Sequence, residues 1–406
     1  MRQLTLREHQ PTRARITSEQ HAGLVAAIPS LDVTPTNEPG VFVLRPGAHV
    51  GTVVVPDLTV HITPKVGAAP TLFMLAYTLD PKHWREHYTT FAAAEQLLES
   101  FVPAFLTHLR RALRPSPLQG YRTVESAEPT VRGRLRFDDQ LRDRHGRTPP
   151  AEVRYDEFTV DTDLNRILKA AIVRLGKLPL RNRELAHQLR RAEHALADVR
   201  LIRYHPARLP EVSFDRLTAR YRHAIALARL VLRDAGIEHR HGTAPSTAFL
   251  VDMNQLFEDF VATAIREHLN LSTTQFPQNA QRRHLVLDHD SRIRLAPDLS
   301  WWEAGHCRFV GDVKYKAIHA PGIRHPDLYQ LLAYTTAIDL REGLLVYAAG
   351  EATPTNHDIT HTNKRLRVRV LDIASDPHNV LADIRSIADE IKELYDTATV
   401  PRFSAG

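Results

Sequence analysis

Two aspartates and a lysine in one short stretch carry the chemistry of this sequence. Within Leu295 to Lys316, LAPDLSWWEAGHCRFVGDVKYK, Asp298 ends one apolar run and Asp312-Val313-Lys314 lies inside the next. A strand alternates its side chains, so Asp312 and Lys314 fall on one face, and a hairpin partner brings Asp298 alongside. One divalent cation could then bridge both carboxylates, with the ammonium beside it and the carbonyl of Val313 as a further oxygen ligand. Phosphodiester hydrolysis needs these groups: a cation that lowers the pKa of a bound water, positive charge for the phosphate, and a lysine to orient the water or steady developing charge. The competing reading is an exposed hairpin that happens to carry three charges.

The elements around this stretch have to position it. Met253 to Leu269, MNQLFEDFVATAIREHL, has a helical apolar face of Met253, Leu256, Phe257, Phe260, Val261, Ala264 and Ile265, with Glu258 at its edge. A carboxylate there either sits at the rim or faces a charged partner such as a metal ion or its bound water. Arg292 to Leu299 and His306 to Lys314 have strand length, joined through Trp301-Trp302 and Gly305. A helix follows, capped by Asp327 or by His325-Pro326, with Leu328, Leu331 and Leu332 on its core face and Gln330 and Tyr334 four apart on another. Leu344 to Ala348 reads as a buried strand, Arg365 to Val370 as an alternating one, and Ile384 to Tyr395 as a closing helix. This order predicts a mixed α/β domain over residues 241–406, with helices on a sheet.

Residues 1–160 read as β-rich and helical. From Val41, VFVLRPGAHVGTVVVPDLTVHITPKV gives two β-branched strands split by Pro56-Asp57. From about Glu95 the period changes, and Leu97, Leu98, Phe101, Val102, Phe105, Leu106, Leu109 and Leu113 mark a helix kinked at Pro103. Val131 to Phe137 and Glu152 to Val160 flank a polar loop as a long basic hairpin, either a surface arm or a probe that inserts into a partner. Residues 161–240 are helical, with stripes at Leu164, Ile167, Leu168, Ala171, Ile172, Leu175 and at Leu217, Tyr221, Ala224, Ile225, Ala228, Val231. Asp161-Thr162-Asp163 offers capping chemistry, and Glu238 to Gly242 reads as a linker.

At 406 residues the chain predicts two or three domains. No apolar run approaches the roughly 18 residues that span a bilayer, and no signal-peptide core follows Met1, so a cytoplasmic protein without membrane contact is expected. The single cysteine, Cys307, excludes an intramolecular disulfide framework and a cysteine-rich zinc site. Residues 164–240 carry 17 basic against 7 acidic side chains, whereas 241–406 carry 17 against 21. A basic block beside an acidic site suits a polyanionic substrate; arginine enrichment by codon bias explains it equally well.

Pro297-Asp298 followed by Asp312-Val313-Lys314 resembles the PD-(D/E)xK nuclease motif, with Asp in the second acidic place. Gln330 to Tyr334 is similar to the QxxxY motif of one branch of those nucleases. The phrases MNQLFEDFV, APDL, GDVKYK, DLYQLLAY and GLLVYA, with VGTVVVPDLTVHITPK, VRGRLRF and YDEFTVDTDLNRILKAA upstream, resemble the McrC family of McrBC modification-dependent restriction systems. The resemblance implies an N-terminal β-rich and helical partner-binding region followed by a PD-(D/E)xK nuclease core. It implies Mg²⁺ as cofactor, Asp298 and Asp312 as metal ligands, Lys314 as catalytic lysine, and Gln330 with Tyr334 supporting the site or substrate. Glu258 matches a secondary ligand of some relatives. The implied partner is the McrB AAA+ GTPase, which recognises the methylated DNA, with the hairpin arm engaging its ring; Arg132 and Arg134 are candidates for promoting hydrolysis there. Two other functions stay open: an adaptor that activates the motor with an idle nuclease, and a free-standing nuclease.

Overall fold

A computed structural model describes residues 1–82, 84–85, 97–145, 147, 149–205, 208–234, 247–278, 283–315, 325–348 and 354–398. The expected linker at Glu238 to Gly242, and Lys316, lie outside them. By contact the chain forms two compact units, one from Met1–Ser100 and Leu250–Gly406, the other from Phe101–Glu238 with Thr247–Phe249. The expected segments 1–160, 161–240 and 241–406 cut across this division.

The first unit begins with β1 (Arg2–Arg7), β2 (Thr12–Arg15), α1 (Ser18–Ala27), β3 (Leu31–Pro35), β4 (Val41–Pro46), β5 (His49–Val55), β6 (Leu58–Thr63) and α2 (Ala68–Leu79). Strands before Val41 escaped the sequence reading, because β1 and β2 alternate charged with apolar residues over few positions. Thr17 and Gln20 cap α1 reciprocally. The β5–β6 hairpin turns at Pro56-Asp57, as expected, with Asp57 at φ 57°. β1 lies parallel to β6, pairing Arg7 with Thr63.

In the second unit α3 (Leu97–Ala112) buries Phe101, Val102, Phe105, Leu106 and Leu109 from the expected stripe. The arm differs from the expected hairpin. Its long strands are β7 (Gly120–Glu128) and β9 (Ala151–Thr159), paired along their whole length. Val131 to Phe137 supplies only the two-residue β8 (Arg134–Leu135), because Gly133 turns the chain at φ 72° where a Cβ would lie 2.5 Å from the Arg154 carbonyl. The polar loop begins as a helix, α4 (Phe137–Arg144). Its buried Gln140 accepts from the Glu152 amide at 2.6 Å and donates to the Pro150 carbonyl, pinning the helix to β9. Helices α5 (Asp163–Gly176), α6 (Arg183–His194) and α7 (Arg222–Asp234) follow. Both expected stripes are buried except at Leu217, which is 76% exposed and sits in the Asp215–Thr218 turn ahead of the helix.

The first unit resumes at β10 (Thr247–Asp252), which completes a sheet of order β1-β6-β5-β10. Asp252 caps α8 (Met253–His268), accepting from the Asn254 amide. Then come β11 (Leu285–Val286), β12 (Arg294–Leu295), β13 (Leu299–Glu303), β14 (His306–Lys314), α9 (His325–Ala337), β15 (Glu342–Ala348), β16 (Thr355–Ile359), β17 (Lys364–Leu371) and α10 (Pro377–Thr397). Five strands form a mixed sheet of order β13-β14-β15-β17-β16, with β14, β15 and β17 parallel. Helices α8, α9 and α10 pack on it, so the expected mixed α/β core is present. The short strand β16 was missed because its half-exposed TNHDI lacks an apolar alternation. Among the described residues no helix is long and apolar enough to cross a membrane.

The junction of β9 and α5 is fixed by charge. Asp161, 5% exposed, accepts from Arg166 at 2.7 and 2.9 Å and from the Arg200 side chain and amide at 2.7 and 3.0 Å, and also pairs with Arg122. The Arg166 hydrogen bonds, with burial opposing them, hold the Asp161 carboxyl well below the usual carboxylate range. A depressed pKa contributes stability above the unfolded value near pH 4, lost as pH falls. Asp161→Asn is expected to destabilise the chain by about 3 kcal/mol at neutral pH, since it leaves buried Arg166 with only the exposed Asp163 as charge partner. Chemical denaturation should show the gap between wild type and variant closing as pH drops through the acid range; a gap independent of pH would mean the aspartate acts only by shape.

Candidate active site

The β13–β14 hairpin builds the site. It turns at Ala304-Gly305, both at positive φ, with Glu303 opposite His306, the geometry that matches strand twist. Trp301 and Trp302, which the sequence reading placed in the connection, therefore belong to β13, with a bulge between them. Arg292 to Leu299 is likewise not one strand: β12 pairs with β11, and Asp298 stands immediately before β13. The register nonetheless does what the spacing required. Leu299 pairs with Gly311, so the next step along the ladder sets Asp298 opposite Asp312.

Asp298 is 7% exposed and Asp312 1%. The Val313 amide donates to Asp298 Oδ2 at 3.1 Å, which fixes that carboxylate against β14. Lys314, on the same face as Asp312, pairs with it closely and stands 3.9 Å from Asp298 Oδ2. Asp312 Oδ1 is buried with no hydrogen-bond donor among the described residues. Burial first, and then the facing Asp298 charge, push the Asp312 pKa up; Lys314 offsets part of this. Burial works against the Lys314 charge as well, and Asp312, Asp298 and Asp327 outweigh it, so its pKa is raised. Two facing carboxylates, one with an unpartnered buried oxygen, and the Val313 carbonyl are hard oxygen donors. They fit a divalent cation that keeps further positions for water or substrate oxygens.

Helix α9 supports this hairpin from the face that carries Asp312 and Lys314. Val310, on that face, packs with Leu331 and Tyr334 of α9 and with Leu345 and Tyr347 of β15. Tyr334 is therefore core rather than on a separate face, since its ring packs beside Leu331 while its hydroxyl reaches outward. That hydroxyl donates to the Ala296 carbonyl at 3.3 Å and accepts from Gln330 Nε2 at 2.6 Å. Ala296 lies two residues before Asp298, so the Gln330–Tyr334 pair steadies the backbone leading into Asp298. Asp327 is not a cap: it is buried and accepts from the Tyr347 hydroxyl at 2.8 Å. Tyr347 stands beside Lys314 in the parallel β14–β15 register. Asp327 was missed as a site residue, although its spacing of four and seven to Leu331 and Tyr334 already placed it on their face.

Glu258 does not join the pair in a cluster. Among the described residues no group of three or more His, Cys, Asp or Glu is placed to hold a metal ion. Glu258 is half-buried on α8, which meets β14 through the Phe257 and Tyr315 rings, 5.9 Å apart. Tyr315 alternates to the face opposite Lys314, so this contact leads away from the carboxylates.

The sequence profile of the McrBC 5-methylcytosine restriction system component family matches residues 44–348. Among solved structures, a chain of the refined half-complex from a tetradecameric assembly of Thermococcus gammatolerans McrB AAA+ hexamers with bound McrC superimposes with a TM-score of 0.60 at 18% identity, covering 96% of this chain and 100% of that one. A chain of the cryo-EM Thermococcus gammatolerans McrBC complex matches at 22% identity and a TM-score of 0.42, covering 66% and 88%. No curated protein matches significantly in sequence.

The raised pKa of Asp312 has a measurable consequence. A carboxyl whose folded pKa lies above its unfolded value of about 4 favours folding below that pH, and the contribution is lost as pH rises through the raised value. In chelator-containing buffer, wild-type melting temperature should fall relative to Asp312→Asn as pH is raised from about 4 into the alkaline range. A constant difference between the two melting curves would show that Asp312 ionises in place without penalty.

Proposed function

The chain belongs to the family of McrBC 5-methylcytosine restriction system components, and from that premise we propose that it is the Mg²⁺-dependent DNA endonuclease subunit of such a system, seated on an AAA+ GTPase. The observation that carries this reading is Asp298 set opposite Asp312 with Lys314 between them. Asp298, Asp312 and the Val313 carbonyl would hold Mg²⁺, which when bound supplies Lewis-acid charge and lowers the pKa of a water. Lys314 presents its ammonium beside both carboxylates, where it can orient the attacking water and offset charge developing on the phosphate. Burial of the two aspartates excludes bulk water from their inner oxygens. Tyr334, through Ala296, keeps Asp298 in place.

The partner is proposed from the likeness to the Thermococcus gammatolerans assembly, whose McrB AAA+ hexamers carry bound McrC. The β7–β9 arm suits insertion into such a ring. Its stem is stiffened by Arg154 and Arg136 on Glu125, and it leaves Val131, Phe137 and Leu141 exposed. Of the two arginines considered for stimulating hydrolysis, Arg132 stacks on the Tyr155 ring at 4.3 Å. Recognition of methylated DNA is assigned to the partner, and the complex acts in the cytoplasm.

Reconstitution with the AAA+ partner on methylated plasmid tests the assignment. With Mg²⁺, wild type is expected to cut, and Lys314→Ala to cut at least about 100-fold more slowly while stimulating partner NTP hydrolysis normally. Phe137→Asp should lose that stimulation. Equal cutting by wild type and Lys314→Ala would remove the site assignment. No cutting by either, with stimulated NTP hydrolysis, would favour the adaptor function, and cutting without partner would favour a free-standing nuclease.

A further inference from the structure

We propose that Lys65 and Glu8, from the N-terminal sheet, are positioning residues for the catalytic lysine, acting on the end of β14 through Tyr315; the inference rests on the nuclease reading above. The stretch VGTVVVPDLTVHITPK, which ends in Lys65, has no role in the hydrolytic chemistry just described. Because β1 and β6 run parallel with Arg7 beside Thr63, their ends deliver Glu8 and Lys65 to one place. The Lys65 amide donates to Glu8 Oε2 at 2.9 Å, and the Tyr315 hydroxyl donates to the same oxygen at 3.2 Å. Lys65 Nζ donates to the Tyr315 carbonyl at 3.1 Å and lies 3.9 Å from the centre of its ring. On another side the ring meets Phe257.

Tyr315 directly follows Lys314, and β14 ends at Lys314. The sheet ladder therefore stops holding the backbone where the catalytic side chain needs a fixed direction. Lys65 supplies a donor to the next carbonyl, and Glu8 fixes the far end of the same tyrosine. With hydroxyl, ring and carbonyl all held, Tyr315 has one orientation, and the chain that enters it from Lys314 is anchored on its far side. A half-buried lysine beside a buried glutamate is a poor means of adding stability, since apolar packing serves as well or better. Their specific hydrogen-bond directions are what an apolar pair would not reproduce.

The test uses the full chain with its AAA+ partner and methylated plasmid. Lys65→Met is expected to lower kcat for Mg²⁺-dependent cleavage by about tenfold or more, as small misplacements of catalytic groups do, with KM for DNA changed by less than about twofold. The Mg²⁺ concentration giving half the maximal rise in melting temperature of the chain alone should move upward several-fold. Tyr315→Phe, which keeps ring and carbonyl and loses only the bond to Glu8, should give a smaller kcat loss of about threefold and guards against misfolding of the first variant. Arg369→Met, which breaks the pair between β17 and Glu390 of α10, is the control for lost stability and should keep kcat. Wild-type kcat in Lys65→Met and Tyr315→Phe, or losses no larger than in Arg369→Met, would overturn the positioning role. A wild-type complex that cuts nothing with Mg²⁺ would instead overturn the nuclease reading, and this inference with it.

Discussion

Two carboxylates held face to face inside a strand pair repel each other and resist desolvation, so they persist only where positive charge accompanies them. Asp298 and Asp312 are such a pair, and Lys314 supplies part of the charge. Lys314 does not cancel the cost of enclosing them: the Asp312 pKa stays raised, by burial first and then by the facing Asp298. A fold optimised only for stability would replace these groups by apolar ones. Their burial, at 7% and 1% exposure, is therefore not explained by stability, and it is what the proposed cation site would use.

The rest of the first unit restricts movement around the pair. β14 lies between β13 and β15; Asp312 is in register with Leu345 of β15 and directly follows Gly311, the last residue paired to β13. Gly343 lets α9 approach β15, since a Cβ there would meet Thr335 and Leu331 side chains at 2.7 and 2.9 Å. That close approach places Tyr334 within reach of Ala296. At its C-terminal end Lys364 donates to the Thr335 and Leu340 carbonyls, closing the last turn. The backbone before Asp298 is thus held from one helix, and the backbone after Lys314 from the N-terminal sheet.

What could be read in the sequence follows from where the physical signal is periodic. Asp312 and Lys314 shared a face because β14 pairs regularly from Phe309 to Lys314, past the bulge at Arg308. Asp298 was placed opposite them correctly although its own strand was drawn too early, because a tight turn makes register insensitive to where β13 begins. The arm was harder. β7 reads GYRTVESAE, alternating half-buried with exposed residues of mixed polarity, and carries no apolar period. Glu8 and Lys65 were invisible for another reason: each follows a strand, and their meeting depends on the parallel pairing of β1 and β6, separated by about fifty residues of chain whose contacts no local pattern encodes.

The charge excess of residues 164–240 illustrates how composition can mislead about surfaces. Seventeen basic side chains against seven acidic suggest a polyanion-binding block. Many of those cations are engaged within their own unit. Arg166 and Arg200 surround Asp161, Arg220 donates to the Arg114 and Ser116 carbonyls, Arg229 to the Pro210 carbonyl, and Lys169 to the Leu196, Ala197 and Val199 carbonyls. Guanidinium groups here terminate helices and close irregular connections that lack a ladder of their own, a use for which their fan of donors suits them. The cations that donate to carbonyls keep their charge, so among these groups pairing offsets the excess only at Arg166 and Arg200, which meet Asp161.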